Sequence, residues 1–153
     1  MLKELVRQDC LLTGFKASSK KQVLQALADY AADRVGVPSA SIFAALLERE
    51  KLGSTGVGRG VAIPHARLDG IEEITGIFAR LETPVDFDSI DDHPVDLVFV
   101  ILAPEDAGAA HLQALSRISR MFRRTEVLDQ LRAAEDCTEI KTVFDPGKVT
   151  IAA

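Results

Sequence analysis

Val95-Asp96-Leu97-Val98-Phe99-Val100-Ile101-Leu102 is the stretch on which the fold turns. It is almost unbroken in apolar, largely β-branched residues. A strand with one wet face alternates, whereas an uninterrupted run suits a strand covered on both sides. Pro104 closes it. Ile74 to Leu81 is also apolar on both faces and predicts a second strand of the same kind. Val61-Ala62-Ile63 predicts a short third strand, and Cys10 to Phe15 a short strand or extended lead-in.

Helical spacing appears around these strands. Ser18 or Ser19 offers an N-cap to a helix whose face carries Leu24, Leu27, Ala28, Ala31 and Val35, with Gly36 as its stop. Pro38 and Ser39 open a second helix with Ile42, Phe43, Leu46 and Leu47 on its apolar face, ended by Gly53. Leu112, Leu115, Ile118 and Phe122 predict a third, starting near Gly108. Thr125 caps a fourth through Leu128 and Leu131. Asp136-Cys137-Thr138-Glu139 has the spacing of a capping box and opens a last helix to Phe144. Helices and strands interleave, which predicts an α/β fold: a mixed sheet with helices on both faces, a three-layer sandwich. The reading is of a single domain over 1–153, with no internal repeat and no linker.

Composition narrows the functions. The net charge of −5 argues against a nucleic-acid binder, which normally shows a basic face. No run reaches the length of a membrane span, and Met1 to Arg7 lacks the apolar core of a signal peptide. Cys10 and Cys137 stand far apart in no metal-like or CxxC pattern, so reduced thiols in a cytoplasmic protein are expected.

The chemistry concentrates in Arg49-Glu50-Lys51-Leu52-Gly53-Ser54-Thr55-Gly56-Val57-Gly58-Arg59-Gly60-Val61-Ala62-Ile63-Pro64-His65. A charged helix end runs into a glycine-rich loop, then a short strand, then a histidine. Glycines free backbone N–H groups to converge on an anion, with Gly53, Gly56 and Gly58 as candidates and Ser54 and Thr55 as hydroxyl donors. The loop has neither the Gly-Lys-Ser/Thr of a nucleotide-binding P-loop nor the spacing of a dinucleotide fingerprint. Taken alone it is a flexible connector; Arg49 before it and His65 after it favour an anion site.

A histidine at the end of an apolar strand is commonly a structural residue. His65, however, is expected where a strand enters a loop, behind a proline that restricts the backbone. Neutral imidazole has a free lone pair for attack on phosphorus. Arg49 stands in a mixed charged cluster that reads equally as a solvated face, yet its planar fork suits phosphoryl oxygens. His111 near a helix start can donate a hydrogen bond to an anion there. His93 reads as an exposed turn residue. The three histidines lack the spacing of a zinc site, and Asp86 to Asp92 lacks the glycine and glutamate of a calcium loop, so no metal is expected and a solvated loop is the better account.

These residues resemble a known family. Arg49 to Gly56 through Ile63-Pro64-His65 is similar to the signature of the fructose/mannitol-type enzyme IIA of the phosphoenolpyruvate phosphotransferase system. Glu82-Thr83-Pro84-Val85-Asp86-Phe87-Asp88-Ser89-Ile90-Asp91, then Pro94 to Leu97, and His111-Leu112 resemble its nitrogen-regulatory branch. The resemblance spans nearly the whole chain. It implies that His65 is the phosphoryl acceptor, flanked by Arg49 and His111. It also implies a mixed sheet sandwiched by helices, an HPr-like phosphocarrier as donor, and no cofactor. Regulatory target proteins in nitrogen and potassium control would follow. Two other readings stand beside it: a sugar-specific IIA relaying to a IIB domain, and a non-phosphorylated anion-binding module. Arg59 departs from the family pattern, as a second basic group near the phosphate or as an exposed charge.

Overall fold

The computed structural model describes residues 7–11, as backbone alone, and residues 17–144. In chain order the elements are β1 (Arg7–Leu11), α1 (Lys20–Val35), α2 (Ser39–Lys51), β2 (Gly56–Gly58), β3 (Val61–Ala62), β4 (His65–Leu68), β5 (Thr75–Val85), β6 (Val95–Pro104), α3 (Ala109–Met121), α4 (Thr125–Ala133) and α5 (Cys137–Phe144).

The apolar run is the spine of a six-stranded sheet ordered β1-β5-β6-β3-β2, with β4 also on β6. β5 pairs antiparallel with one edge of β6. β3 and β4 follow each other along the other edge, both parallel to it. β1 adds in parallel to β5. Alternate residues of β6 feed two cores. Val98, Val100 and Leu102 pack with Leu24, Leu27, Ile42 and Leu46 of α1 and α2. Leu97, Phe99, Ile101 and Ala103 pack with Ile118, Leu128, Leu131 and Phe144 of α3, α4 and α5. Each such fully buried apolar side chain contributes about 1.5–3 kcal/mol. The mixed sheet with helices on both faces is therefore as expected, and the unbroken run in β6 is its cause.

The helix ends follow local rules. Ser19 caps α1 through Gln22 N, and Gly36 ends it at φ 71°. Asp136 accepts from Glu139 N while Glu139 reaches back to Glu135 N, a capping box displaced by one residue. Thr125 begins α4 instead of capping it; extended Arg124 holds the cap position without a side-chain bond.

Three further expectations change. β5 continues to Val85 through Pro84, past the predicted end at Leu81. The face of α3 is rotated: His111, Ala114 and Ile118 are buried, whereas Leu112 is 66% exposed. And Cys137 is disulfide-bonded, not reduced. The other cysteine of the chain, Cys10, falls in β1, which lies alongside α5; distance in sequence hid that proximity. The expected lead-in beyond Leu11 and the loose tail from Pro146 lie outside the described residues.

Candidate functional site

His65 does not stand where a strand enters a loop. It opens β4, paired with Ile101 of β6. Pro64 has no N–H to give to the ladder, so it separates β3 from β4, while its carbonyl still accepts from Ile101 N at 3.0 Å. The histidine backbone is thus held by the central strand of the sheet.

The ring is held as well. His65 Nδ1 lies 2.9 Å from the Ile63 carbonyl. A carbonyl only accepts, so Nδ1 carries the hydrogen and Nε2 keeps its lone pair. Arg49 Nε donates to that Nε2 at 3.2 Å, which requires the same tautomer. Arg49 Nη1 donates to the Gly53 carbonyl at 2.8 Å, pinning the guanidinium to the corner that ends α2. The His65 pKa is lowered from 6.5, first by burial and then by the Arg49 charge; the Ile63 carbonyl and Glu50 act in the opposite sense. At neutral pH the ring is an uncharged acceptor.

His111 comes from the first turn of α3. Its ring centroid is 5.7 Å from that of His65, with the planes at 50°. It is 5% exposed, and its Nδ1 is buried without a hydrogen-bond partner. Its pKa is pushed down to about 4, chiefly by burial and then by the charges of His65 and Arg67. A native state that holds His111 neutral binds fewer protons than the unfolded chain between pH 6.5 and about 4, so stability falls as pH drops through that window. Urea midpoints measured down this range are expected to fall more steeply in the wild type than in His111→Gln.

The glycine stretch is arranged differently from an open anion cradle. Thr55 N and Thr55 Oγ1 donate to Glu50. Ser54 Oγ donates to the Phe87 carbonyl and accepts from Gly56 N. Gly53 N is bonded to the Glu50 carbonyl. Gly56 and Gly58 belong to β2, which pairs with β3. These donors are taken up by the loop's own shape, and Gly56 serves a close approach to Ser89. A Cβ on Gly56 would run into Ser89 Oγ and lie 3.1 Å from Ser89 Cβ. Gly56→Ala is expected to cost about 1–3 kcal/mol by overpacking, partly recovered by Ser89→Ala, as read from denaturation midpoints.

Arg59 is exposed, as one of its two readings expected, but it is tied down rather than loose. It sits at φ 59° in the turn between β2 and β3. Its guanidinium donates to the Arg123 carbonyl beyond α3, and its own carbonyl accepts from Arg132 of α4 at 2.7 Å. The acidic stretch is likewise more than solvated loop. Phe87 and Ser89 are buried, and Asp91 receives the Arg59 N–H at 2.9 Å. Among the described residues no cluster of histidine, cysteine and acidic side chains is placed to hold a metal, and no helix is long and apolar enough to cross a membrane. His93 is exposed.

The residue missed by the sequence reading is Glu50. It looked like one charge among four, yet it is 7% exposed. The signal was its spacing: Ile42, Leu46 and Glu50 fall at i, i+4 and i+8 on the buried stripe of α2.

Comparison with known proteins gives the family. Residues 4–146 match the family described as phosphoenolpyruvate-dependent sugar phosphotransferase system, EIIA 2. The nitrogen regulatory protein of Bradyrhizobium diazoefficiens is 51% identical over 149 residues, 97% of each chain. The fructose-specific EIIA component of Haloferax volcanii is 41% identical, over 83% of each chain. The crystal structure of the nitrogen regulatory protein IIA-Ntr from Neisseria meningitidis superposes with a TM-score of 0.82 at 36% identity, covering 88% of this chain and 90% of that one. A sheet-held histidine, an arginine on its open nitrogen and a buried second histidine thus belong to a protein of the phosphotransferase-system EIIA type 2 family, with nitrogen regulatory proteins among its relatives.

Proposed function

We propose that this protein carries a phosphoryl group on His65, taken from the phosphohistidine of an HPr-like carrier, and signals through target proteins that read its phosphorylation state. The observation that carries the reading is the state of His65 Nε2: deprotonated by tautomer, facing Arg49 Nε, and flanked by His111. In the transfer, the Nε2 lone pair forms the new N–P bond. The N–P bond of the donor breaks, and its electron pair returns to the donor imidazole. The His65 ring becomes positively polarised, and its Nδ1–H is already held by the Ile63 carbonyl. Arg49 exchanges its bond to Nε2 for bonds to the phosphoryl oxygens, a preorganised donor for charge in transit. His111, neutral and at the positive end of α3, donates to a further oxygen. Transfer between two imidazoles uses no nucleotide, metal or organic cofactor.

Leu52, Val57, Ile90 and Leu112 are exposed apolar residues beside the site in sequence or across the Gly56–Ser89 contact. They form the docking rim for the carrier, and its seating there excludes water and strengthens the charges at the reacting nitrogen. Phosphorylation then adds about 1.5–2 negative charges there and changes which partners bind. Membership of the phosphotransferase-system family supports a cytoplasmic setting for this work.

The test is incubation with phosphoenolpyruvate, enzyme I and the cognate carrier. An acid-labile, base-stable adduct is expected; its absence would sink the phosphoryl reading and leave an anion-binding module. The 41% identity to a fructose-specific EIIA supports a second reading, relay to a IIB domain. Discharge of the adduct by candidate IIB domains would favour relay, and retention would favour signalling.

A further inference from the structure

Among the described residues Glu50 is the one buried acid, and it does not touch the reacting atoms. Its carboxylate accepts the Thr55 N–H at 3.1 Å and the Thr55 hydroxyl, and Lys20 Nζ of α1 lies 3.1 Å from its Oε2. From there a chain of bonds leads to the acceptor. The Thr55 carbonyl accepts from Ile63 N at 2.9 Å, and the Ile63 carbonyl faces His65 Nδ1 at 2.9 Å. Beside it, Arg49 is the preceding residue of the same helix turn, tied to Gly53 inside the corner that Glu50 closes.

We propose that Glu50 is the positioning residue of this site: through Thr55 it holds the His65 ring and the Arg49 corner in register, and it sets a buried negative charge behind the acceptor imidazole. The inference rests on the reading of His65 as phosphoryl acceptor. Register matters because displacement of a reacting pair by about 1 Å slows transfer by as much as about 10²-fold. The charge has two effects. It keeps Nε2 more basic and so more nucleophilic against burial. It also repels the phosphoryl group once bound, which favours passing it onward.

The charged and titratable groups that bear on His65 are Arg49 and Glu50 from α2 and His111 from α3, with Lys20 of α1 paired to Glu50 and Arg67 of β4 acting on His111. Burial and Arg49 lower the basicity of the ring, and Glu50 raises it. Glu50→Gln keeps an acceptor for the Thr55 N–H but removes the charge. Two readouts are expected to move together: the His65 titration followed by NMR shifts to lower pH, and phosphoryl transfer slows by about tenfold or more. Thr55→Val leaves the Glu50–Lys20 pair and breaks only the hydroxyl link; it is expected to slow transfer while the His65 titration stays near wild type. A folded Glu50→Gln protein with wild-type titration and rate would overturn the proposal. Should that variant unfold, Thr55→Val decides: a native fold with slowed transfer supports the link, and wild-type transfer overturns it. The NMR titration needs no carrier. A wild-type protein that accepts no phosphoryl group therefore refutes the acceptor reading, while the titration still judges the electrostatic role of Glu50.

Discussion

His65→Ala is expected to abolish the phosphoryl adduct completely while leaving the fold intact. The loss is total because no other nitrogen in the site is equipped to replace Nε2. His111 Nδ1 is buried, and its ring is of low basicity. His93 is exposed in a turn far along the chain. The fold survives because His65 is only half-buried, and its backbone pairing with β6 does not depend on the side chain. A cost of about 1 kcal/mol is typical of such a change. Circular dichroism and the denaturation midpoint report the fold, and intact mass after incubation with the carrier reports the adduct. An adduct that persists in this variant would place the acceptor elsewhere.

Arg49 carries the second large effect. Arg49→Gln is expected to reduce the transfer rate by roughly 10²–10³, the loss that follows removal of one preorganised donor to developing charge. Arg49→Lys keeps the charge but not the fork, and a smaller reduction of about tenfold is expected. A merely structural arginine would not alter the pH profile. Arg49 lowers the His65 pKa, so its removal raises that pKa and moves the acid limb of the rate profile to higher pH. A profile unchanged in position, with wild-type rates in both variants, would make Arg49 a surface charge.

The sequence was most legible where one physical demand shaped a whole segment. Residues 95–102 had to be apolar on both sides because helices cover both faces of β6, so the run announced the sandwich. Leu24, Leu27, Ala28 and Ala31 marked the inner face of α1 for the same reason. Legibility failed where spacing admits two answers. Leu112, Leu115, Ile118 and Phe122 fit a helical stripe, but the buried stripe of α3 runs through His111, Ala114 and Ile118, and Leu112 is left outside. It failed again where contacts join distant segments. Nothing local tells that Ser54 bonds to the Phe87 carbonyl, or that Arg59 reaches the end of α3. The glycine loop therefore looked like an open cradle when several of its donors were already bonded.

The candidate site was legible in its types and not in its support. Arg49, His65 and His111 were singled out by chemistry and by family resemblance, and the fold brings them together. The tautomer that frees Nε2 depends on the Ile63 carbonyl, a backbone group that no residue type reveals. Glu50 was concealed by its neighbours Glu48, Arg49 and Lys51, whose charges suggested a wet helix end. Its spacing from Ile42 and Leu46 argued otherwise.

The most direct test of this account is the nitrogen that bears phosphorus. The protein is labelled with ¹⁵N at histidine, phosphorylated through the carrier and examined for ³¹P–¹⁵N coupling at pH 8, on the base-stable side of the adduct. Coupling is expected to Nε2 of His65, with Nδ1 still carrying its hydrogen toward the Ile63 carbonyl. Coupling to Nδ1, or to any nitrogen of His93 or His111, would contradict it.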